Sequence, residues 1–212
     1  MQFKKPTFWD YQKISFWSVL LFPFSIIYFS IIWVIKVTSI FTSYKKMPIP
    51  VICVGNIYIG GTGKTPLVRE IFNITKSLGK NPAFIKKYHA YLSDEIKMLK
   101  DKGKVFTDHK RYKSILSSVS NNHDVAILDD GFQDFSIKPD FSILCFNSTQ
   151  MIGNGLLIPS GPLRETLRAI LRADCIIING PKNLEFEKKL FKTIQNKKLH
   201  IFYSKYKIKD IE

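Results

Sequence analysis

The sequence predicts an α/β protein: a mostly parallel sheet covered by helices on both faces, with an apolar helix ahead of it. Three observations carry this. Short β-branched apolar runs alternate with helical stretches, one run opens through a glycine-rich turn into an amphipathic helix, and residues 14–35 carry no charge.

Composition bounds the rest. At 212 residues and 45% apolar content, the chain can bury one sizeable core plus an appendage. Lys and Arg number 32 against 17 Asp and Glu, a formal charge of +15, which favours an anionic partner such as nucleic acid, acidic lipid or phosphate. Cys53, Cys145 and Cys175 stand far apart, which argues against a disulfide framework or a zinc site and fits a reducing cytosol. There is no internal repeat and no low-complexity segment.

The segment from Ile14 to Ile35 is uncharged, and about 20 such residues suffice for a helix to cross the hydrocarbon core. Lys13 and Lys36 bracket it, and Trp9, Trp17, Trp33, Tyr11 and Tyr28 suit an interfacial aromatic belt. Pro23 is a candidate kink. A secretory signal would offer a small-residue cleavage site, whereas Trp33-Val34-Ile35-Lys36 continues straight into the domain. A helix buried in a soluble core is the other alternative. Residues 1–45 are assigned as a membrane-anchoring segment, spanning or lying in one leaflet, and 46–212 as the nucleotide-binding domain. Basic residues lie on both sides (Lys4, Lys5, Lys13; Lys36, Lys45, Lys46), so charge orients the segment weakly. Nucleotide chemistry downstream puts its C-terminal side in the cytosol.

From Val51 to Val54 the chain reads as a strand, from Gly55 to Gly63 as a loop, and from Lys64 as a helix stopped by Gly79. Leu67, Ile71, Ile74 and Leu78 recur at helical spacing, and Pro66 suits the first turn. Gly60-Gly61-Thr62-Gly63-Lys64-Thr65 therefore lies at a helix N-terminus, where main-chain N–H groups and the dipole favour phosphate. Lys64 would reach the β/γ-phosphates of a nucleotide and Thr65 would offer its hydroxyl to Mg²⁺. Tyr58 stands where the usual G-x-x-x-x-G-K-[ST] pattern has its first glycine.

A second run, Val125 to Leu128, ends in Asp129-Asp130-Gly131, placing two carboxylates where a parallel strand emerges. Read alone this is equally an Asp-Gly turn. After a phosphate loop it reads as the carboxylate partner of a metal ion. Further strands are expected at Ala83–Ile85, Phe141–Phe146, Cys175–Ile178 and Leu199–Tyr203, with His200 a strand residue.

These motifs together resemble the lipid A 4′-kinases, the tetraacyldisaccharide 4′-kinase family. The resemblance is carried by Val54-Gly55-Asn56, Gly60 to Pro66, Leu128-Asp129-Asp130-Gly131-Phe132-Gln133, Gly153-Asn154-Gly155 and Pro159-Ser160-Gly161-Pro162-Leu163-Arg164-Glu165, in family order. It implies a P-loop NTPase-like kinase domain. The implied reaction transfers the ATP γ-phosphate to the 4′-hydroxyl of a tetraacylated disaccharide 1-phosphate, giving lipid IVA at the cytoplasmic face of the bacterial inner membrane. ATP and Mg²⁺ are the implied cofactors, the lipid A precursor and the membrane the partners, and nucleic acid is not expected. The resemblance also implies a nucleotide site of Tyr58, Ile59, Gly60, Gly61, Thr62, Gly63, Lys64, Thr65 and Gln133, and metal contacts from Thr65, Asp129, Asp130 and Glu165.

The family's catalytic Gly-Asp-Glu is matched by Ser93-Asp94-Glu95, which makes Asp94 the acceptor or orienter of the hydroxyl. Read without the family, Ser93 is a helix cap and Asp94 and Glu95 complement its dipole. Pro162 reads as a helix start with Arg164 and Glu165 in the first turn. A cation gains nothing from the dipole there, so Arg164 is expected to bind phosphate, joining Lys64 and Asp94 as catalytic. Glu165 supports the metal or completes that helix start. The chain departs from the family at Lys86-Lys87-Tyr88-His89, where Arg-Gly-Tyr-Gly is usual, and at Asp134, where His is common. The family's C-terminal Asp-His-His-type motif has no match in this sequence, and His89, His109, His123 and His200 do not replace it. Two alternatives remain from composition: a basic P-loop ATPase binding nucleic acid, and a catalytically weak ATP-binding membrane protein.

Overall fold

The computed structural model describes residues 5–41, 44–88, 93–194 and 197–205, apart from the side chains of Ile40 and Ser93. Lys4, His89 and the capping side chain expected of Ser93 lie outside the described residues. In chain order the elements are α1 (Phe16–Leu20), α2 (Phe22–Phe41), β1 (Val51–Gly55), α3 (Lys64–Ser77), β2 (Pro82–Lys87), α4 (Ser93–Lys100), β3 (Val105–Asp108), α5 (Arg111–Ser120), β4 (Val125–Asp129), β5 (Phe141–Asn147), β6 (Cys175–Asn179), α6 (Leu184–Ile194) and β7 (His200–Ser204). The seven strands have the order β3-β2-β4-β1-β5-β6-β7. The alternation of buried strands and helices that composition predicted is thus a parallel α/β sheet.

The chain divides into two compact units. One comprises Met1–Ile35, Asn56–Thr62 and Leu144–Glu212, the other Lys36–Gly55 and Gly63–Ile143.

In the second unit β1 pairs with β4, β4 with β2 and β2 with β3, all parallel. Val51, Cys53, Val54, Phe84, Ile85 and the whole of β4 are buried, as expected of strands covered on both faces. The register sets Lys86 opposite Asp129, so two charged side chains share one face at the C-terminal end of adjacent strands. The helix after the glycine loop buries Val68, Phe72 and Thr75, not the expected row, and Ile74 and Leu78 are exposed. The contact that decides this is Phe72 stacked on Phe84, ring centroids 4.4 Å apart, which turns the inward face by one residue. Gly79 does stop the helix, at φ 75°. The strand expected at 83–85 runs on to Lys87, and β3 was not foreseen.

In the first unit β6 and β7 pair in parallel, with His200 opposite Cys175. Phe186, Leu190 and Ile194 of α6 are buried, and Phe146 meets Phe186 edge-on at 5.3 Å. The N-terminal apolar segment is two helices. Ser15 caps α1 by accepting from Ser18 N at 3.2 Å, the chain turns at Leu21, and Pro23 sits in the first turn of α2, where its missing N–H costs nothing.

Only 6% of the stretch Phe22–Ser39 is buried, and among the described residues this is one helix long and apolar enough to cross a membrane. Two of its polar residues, Ser25 and Tyr28, face the protein. Ser25 is 4% exposed and bonds Leu157 O and Ser160, Tyr28 donates to Arg164 O, and Ser18 of α1 takes a bond from Asn154. Phe16, Trp17, Phe24, Ile27, Ile31 and Trp33 are exposed.

No helix starts at Pro162. The nearest helical turn is a 3₁₀ segment, Leu167–Arg172. Residues 162–164 are instead extended against the glycine loop, with Ile59 N donating to Pro162 O and Arg164 N to Ile57 O, both at 2.8 Å. Those main-chain bonds outcompete the helix that Pro162 suggested, and with them goes the dipole argument for Arg164.

Candidate active site

The phosphate loop spans both units along the chain, and each half has its own bracing. Residues 56–62 are held from within by Asn56, fully buried, whose Nδ2 donates to Thr62 Oγ1 at 2.8 Å and reaches Gly60 O at 3.4 Å. Thr62 N closes onto Gly60 O at 3.0 Å, and Thr62 O accepts from Asn179 at the end of β6. Asn179 in turn accepts from Ser204 of β7. Tyr58 bridges Leu163, and its side chain is fully buried with the hydroxyl donated to Asp10. Burial, then the hydrogen bond to Asp10 and its charge, push the Tyr58 hydroxyl far above the usual tyrosine range.

Also in this unit, Glu165 is 2% exposed and accepts from Arg172 Nη2 on both oxygens, at 2.8 and 3.0 Å. Arg164 is half-buried, its carbonyl bonded to Tyr28.

The other unit carries the helix end of the loop. Gly63 is the N-cap of α3 at φ 81°, a left-handed conformation that glycine adopts without strain, and it brings no capping side chain. The first amides of a helix lack intrahelical acceptors, so this start offers them to an anion. Lys64 opens α3, and its Nζ lies 3.5 Å from Asp130 Oδ1. Thr65 follows, half-buried.

The two aspartates after β4 differ in kind. Asp129 is 1% exposed and takes an ion pair from Lys86, itself 4% exposed in its side chain. Asp130 turns into the left-handed region at φ 57° and keeps 32% of its side chain exposed. Arg111, at the start of α5, steadies this turn by donating to Asp130 O at 2.7 Å and to Asp134 Oδ2 at 3.0 Å. Gln133 is half-buried in the same turn. Phe132 passes so close to Gly55 that any Cβ there would strike it, which explains the glycine at the end of β1.

Lys86 also donates to Glu95 at 2.5 Å. Burial alone would depress the Lys86 ammonium, but Asp129 and Glu95 outweigh it and hold it above the ordinary lysine value. Glu95 and the exposed Asp94 occupy the first turn of α4. The ion pair therefore ties the helix bearing Asp94 to the strand bearing Asp129.

In this unit the structure places Lys64 beside Asp130, and sets the Asp94 helix against Asp129 through Lys86. In the first unit it joins Tyr58 to Leu163 and Arg164 to Ile57. Lys86, Arg111 and Asn179 were missed as site residues. For Lys86 no local signal existed, since a lysine after an apolar strand run ordinarily marks an exit to solvent and its buried partner Asp129 lies 43 residues away. Among the described residues no three His, Cys, Asp or Glu side chains form a metal cage. Mg²⁺ is held at phosphate sites by one or two carboxylates plus the phosphates themselves, and Thr65 and Asp130 present hard oxygen donors of that kind.

The family model described as tetraacyldisaccharide-1-P 4′-kinase matches residues 17–90 and 86–211. A tetraacyldisaccharide 4′-kinase of Pelagibacter ubique is 46% identical over 180 residues, covering 85% of this chain and 56% of the relative. One from Hyphomonas neptunium is 27% identical over 202 residues, covering 84% and 60%. The chain thus spans a little over half the length of these relatives.

The crystal structure of LpxK from Aquifex aeolicus in complex with ATP superposes with a TM-score of 0.66 at 29% identity, over 76% of this chain and 58% of that one. The signal recognition particle receptor FtsY of Elizabethkingia anophelis, at 14% identity and a TM-score of 0.51 over 76% of this chain and 59% of its own, shares the fold alone.

Proposed function

Because this chain belongs to the tetraacyldisaccharide-1-phosphate 4′-kinase family, we propose that it transfers the γ-phosphate of ATP to the 4′-hydroxyl of a tetraacyldisaccharide 1-phosphate, forming lipid IVA. The observation that carries this reading is Lys64 at the start of α3, 3.5 Å from Asp130 at the end of β4. A phosphate-loop lysine and a partly exposed carboxylate at that distance form the charge pair that a metal-bound triphosphate divides between them.

The residues then take these roles. Main-chain groups of Tyr58, Ile59, Gly60, Gly61, Thr62 and Gly63 cradle the phosphates, and Lys64 leaves Asp130 for the β/γ-oxygens. Thr65 and Asp130 would hold Mg²⁺, with Asp129 and Gln133 in support, while Glu165 keeps its pairing with Arg172. When bound, the ion would supply positive charge to offset that on the transferring phosphoryl group. Asp94, exposed at the start of α4, orients the 4′-hydroxyl and accepts its proton. Arg164 binds a phosphate through its guanidinium.

Helices α1 and α2 seat the chain at the cytoplasmic face of the inner membrane. Ser25 and Tyr28 are committed to residues 157–164, so lipid cannot surround α2 at that depth, and the helix lies in one leaflet.

The test supplies detergent-solubilised chain with labelled ATP, Mg²⁺ and tetraacyldisaccharide 1-phosphate. A 4′-phosphorylated lipid, lost in Lys64→Ala and Asp94→Ala, is the expected product. Nucleotide binding without any lipid product would overturn the kinase reading for this chain.

A further inference from the structure

We propose that the segment Lys5–Asp10, ahead of the membrane helices, is a strap that positions the phosphate loop, with Asp10 as its positioning residue acting through Tyr58. The proposal rests on the nucleotide-binding reading of that loop.

Contacts of three residues, Lys5, Trp9 and Asp10, define the strap. Asp10 accepts from the Tyr58 hydroxyl and from Lys5 Nζ, the latter at 2.6 Å. Lys5 Nζ also donates to the Tyr58 hydroxyl at 3.0 Å and lies 5.1 Å from the centroid of its ring. Trp9, 3% exposed, donates its indole N–H to Pro159 O at 2.9 Å, and its carbonyl accepts from Asn154 N at 3.1 Å. Both ends of the strap, Lys5 and Asp10, therefore meet the loop at Tyr58, and Trp9 beside Asp10 pins it to the segment that pairs with the loop.

A bare glycine loop is a poor phosphate cradle. Gly60, Gly61 and Gly63 give it backbone freedom, and ordering it on binding costs conformational entropy. Tyr58 reduces that cost before the ligand arrives. Its main chain bridges Leu163 on one side, and its hydroxyl, at the far end of a rigid ring, is fixed by a charged acceptor. The residue at that position is fixed through its side chain, although the usual pattern has glycine there. Preorganisation of this kind appears as affinity.

The position of the strap has a consequence for the membrane segment. Asp10 lies six residues before Phe16, where α1 begins, and α1 and α2 contact the same 154–164 stretch through Ser18, Ser25 and Tyr28. Strap, α1, α2 as far as Ile35 and the first half of the phosphate loop belong to one compact unit. The membrane segment is thus built into the nucleotide site and is more than a tether.

The test measures Mg-ATP affinity of the full chain in detergent by titration calorimetry, well below its melting midpoint, for wild type, Asp10→Asn, Tyr58→Phe and the double variant. Loss of one charge-assisted hydrogen bond predicts a Kd raised by about tenfold or more in each single variant. The double variant should be no weaker than the weaker single, because both remove the same contact. Partition onto anionic vesicles should match wild type in all three.

A Kd within twofold of wild type in Asp10→Asn, or effects that simply add, overturns the strap. Should Tyr58→Phe fail to fold, Asp10→Asn decides alone. Wild type that binds Mg-ATP but phosphorylates no lipid overturns the kinase reading and not the strap, whereas wild type with no Mg-ATP affinity overturns both.

Discussion

The ammonium of Lys86 stands between the carboxylates of Asp129 and Glu95, with 4% of its side chain exposed, and so joins the end of β4 to the first turn of α4. Parallel register puts Lys86 and Asp129 side by side, and the pair is buried too deeply for water to compensate either charge alone. Breaking such a pair from one side costs about 3–5 kcal/mol, because the remaining charge is stranded. Lys86→Met should therefore lower the unfolding free energy by that order, and Lys86→Arg should recover most of it. Urea melts of the three proteins measure this, and a Lys86→Met midpoint equal to wild type would contradict the ion pair.

Asp129 and Asp130 adjoin in sequence yet should respond oppositely to the same change. Asp129→Asn leaves Lys86 facing a neutral amide in the core and should destabilise the fold by about 1–3 kcal/mol. Asp130→Asn, at a partly exposed position beside Lys64, should leave the melting midpoint nearly unchanged while raising the Mg²⁺ concentration needed for half-maximal phosphate transfer by about tenfold or more. Magnesium titrations of activity, paired with thermal melts, separate the two. Equal effects of both variants on both readouts would dissolve the distinction.

The first-turn carboxylates of α4 offer a similar contrast. General-base help is worth about 10²–10⁴-fold in rate. Asp94→Asn should lower kcat within that range while the KM for ATP stays within about threefold, since an exposed group at the helix start contributes to no loop that grips nucleotide. Glu95→Gln, which loosens the tie to Lys86, should cost less in kcat and more in stability. Steady-state kinetics with varied ATP tests this, and a purely KM effect of Asp94→Asn would remove its catalytic role.

Local chemistry made part of this architecture readable in the sequence. The strand, glycine loop and helix from Val51 to Gly79 are specified by neighbours in sequence, so their order and the N-terminal placement of Lys64 and Thr65 could be read directly. What was misread depends on contacts across the chain. The second strand was expected to end at Ile85 because a lysine ordinarily marks an exit to solvent, and only Asp129, 43 residues away, makes Lys86 a buried residue. Pro162 suggested a helix, but its segment is bound by Ile57 and Ile59 of the phosphate loop. The inward face of α3 was set one residue off because Phe84 selects Phe72. The four-residue strand Val105–Asp108, flanked by Lys104 and bearing one apolar pair, has too little pattern to stand out.

Acid should weaken the turn that carries Asp130. Burial would raise the carboxyl of Asp134, but hydrogen bonds from Ser136 and the guanidinium of Arg111 outweigh it and hold it below the ordinary value of 3.8. A carboxyl depressed in the folded state contributes stability that is complete above the unfolded value and is lost as pH falls through the folded one. Asp134→Asn should therefore destabilise at pH 7 by about 1–3 kcal/mol, with the difference from wild type shrinking below pH 3.8. Urea midpoints at both ends of that range are the measurement. A difference that persists undiminished in acid would mean that Asp134 acts by shape rather than charge.

The apolar face of α2 should control where the chain resides without controlling how it folds. Ile27, Ile31 and Trp33 are each more than half exposed, so none contributes much burial to the fold, whereas each would bury its side chain in the acyl region of a leaflet. Burying a residue of this size is worth about 1.5–3 kcal/mol, and replacing it with lysine adds the cost of holding a charge among lipid tails. Ile27→Lys combined with Ile31→Lys should therefore reduce partition onto anionic vesicles by about a hundredfold or more despite adding two positive charges. Ser25→Leu, by contrast, should leave partition intact and lower the melting midpoint, because Ser25 spends its hydroxyl on Leu157 and Ser160. Vesicle co-sedimentation alongside thermal melts discriminates the two faces. If the double lysine variant bound vesicles as tightly as wild type, the basic surface rather than the apolar helix would account for the binding.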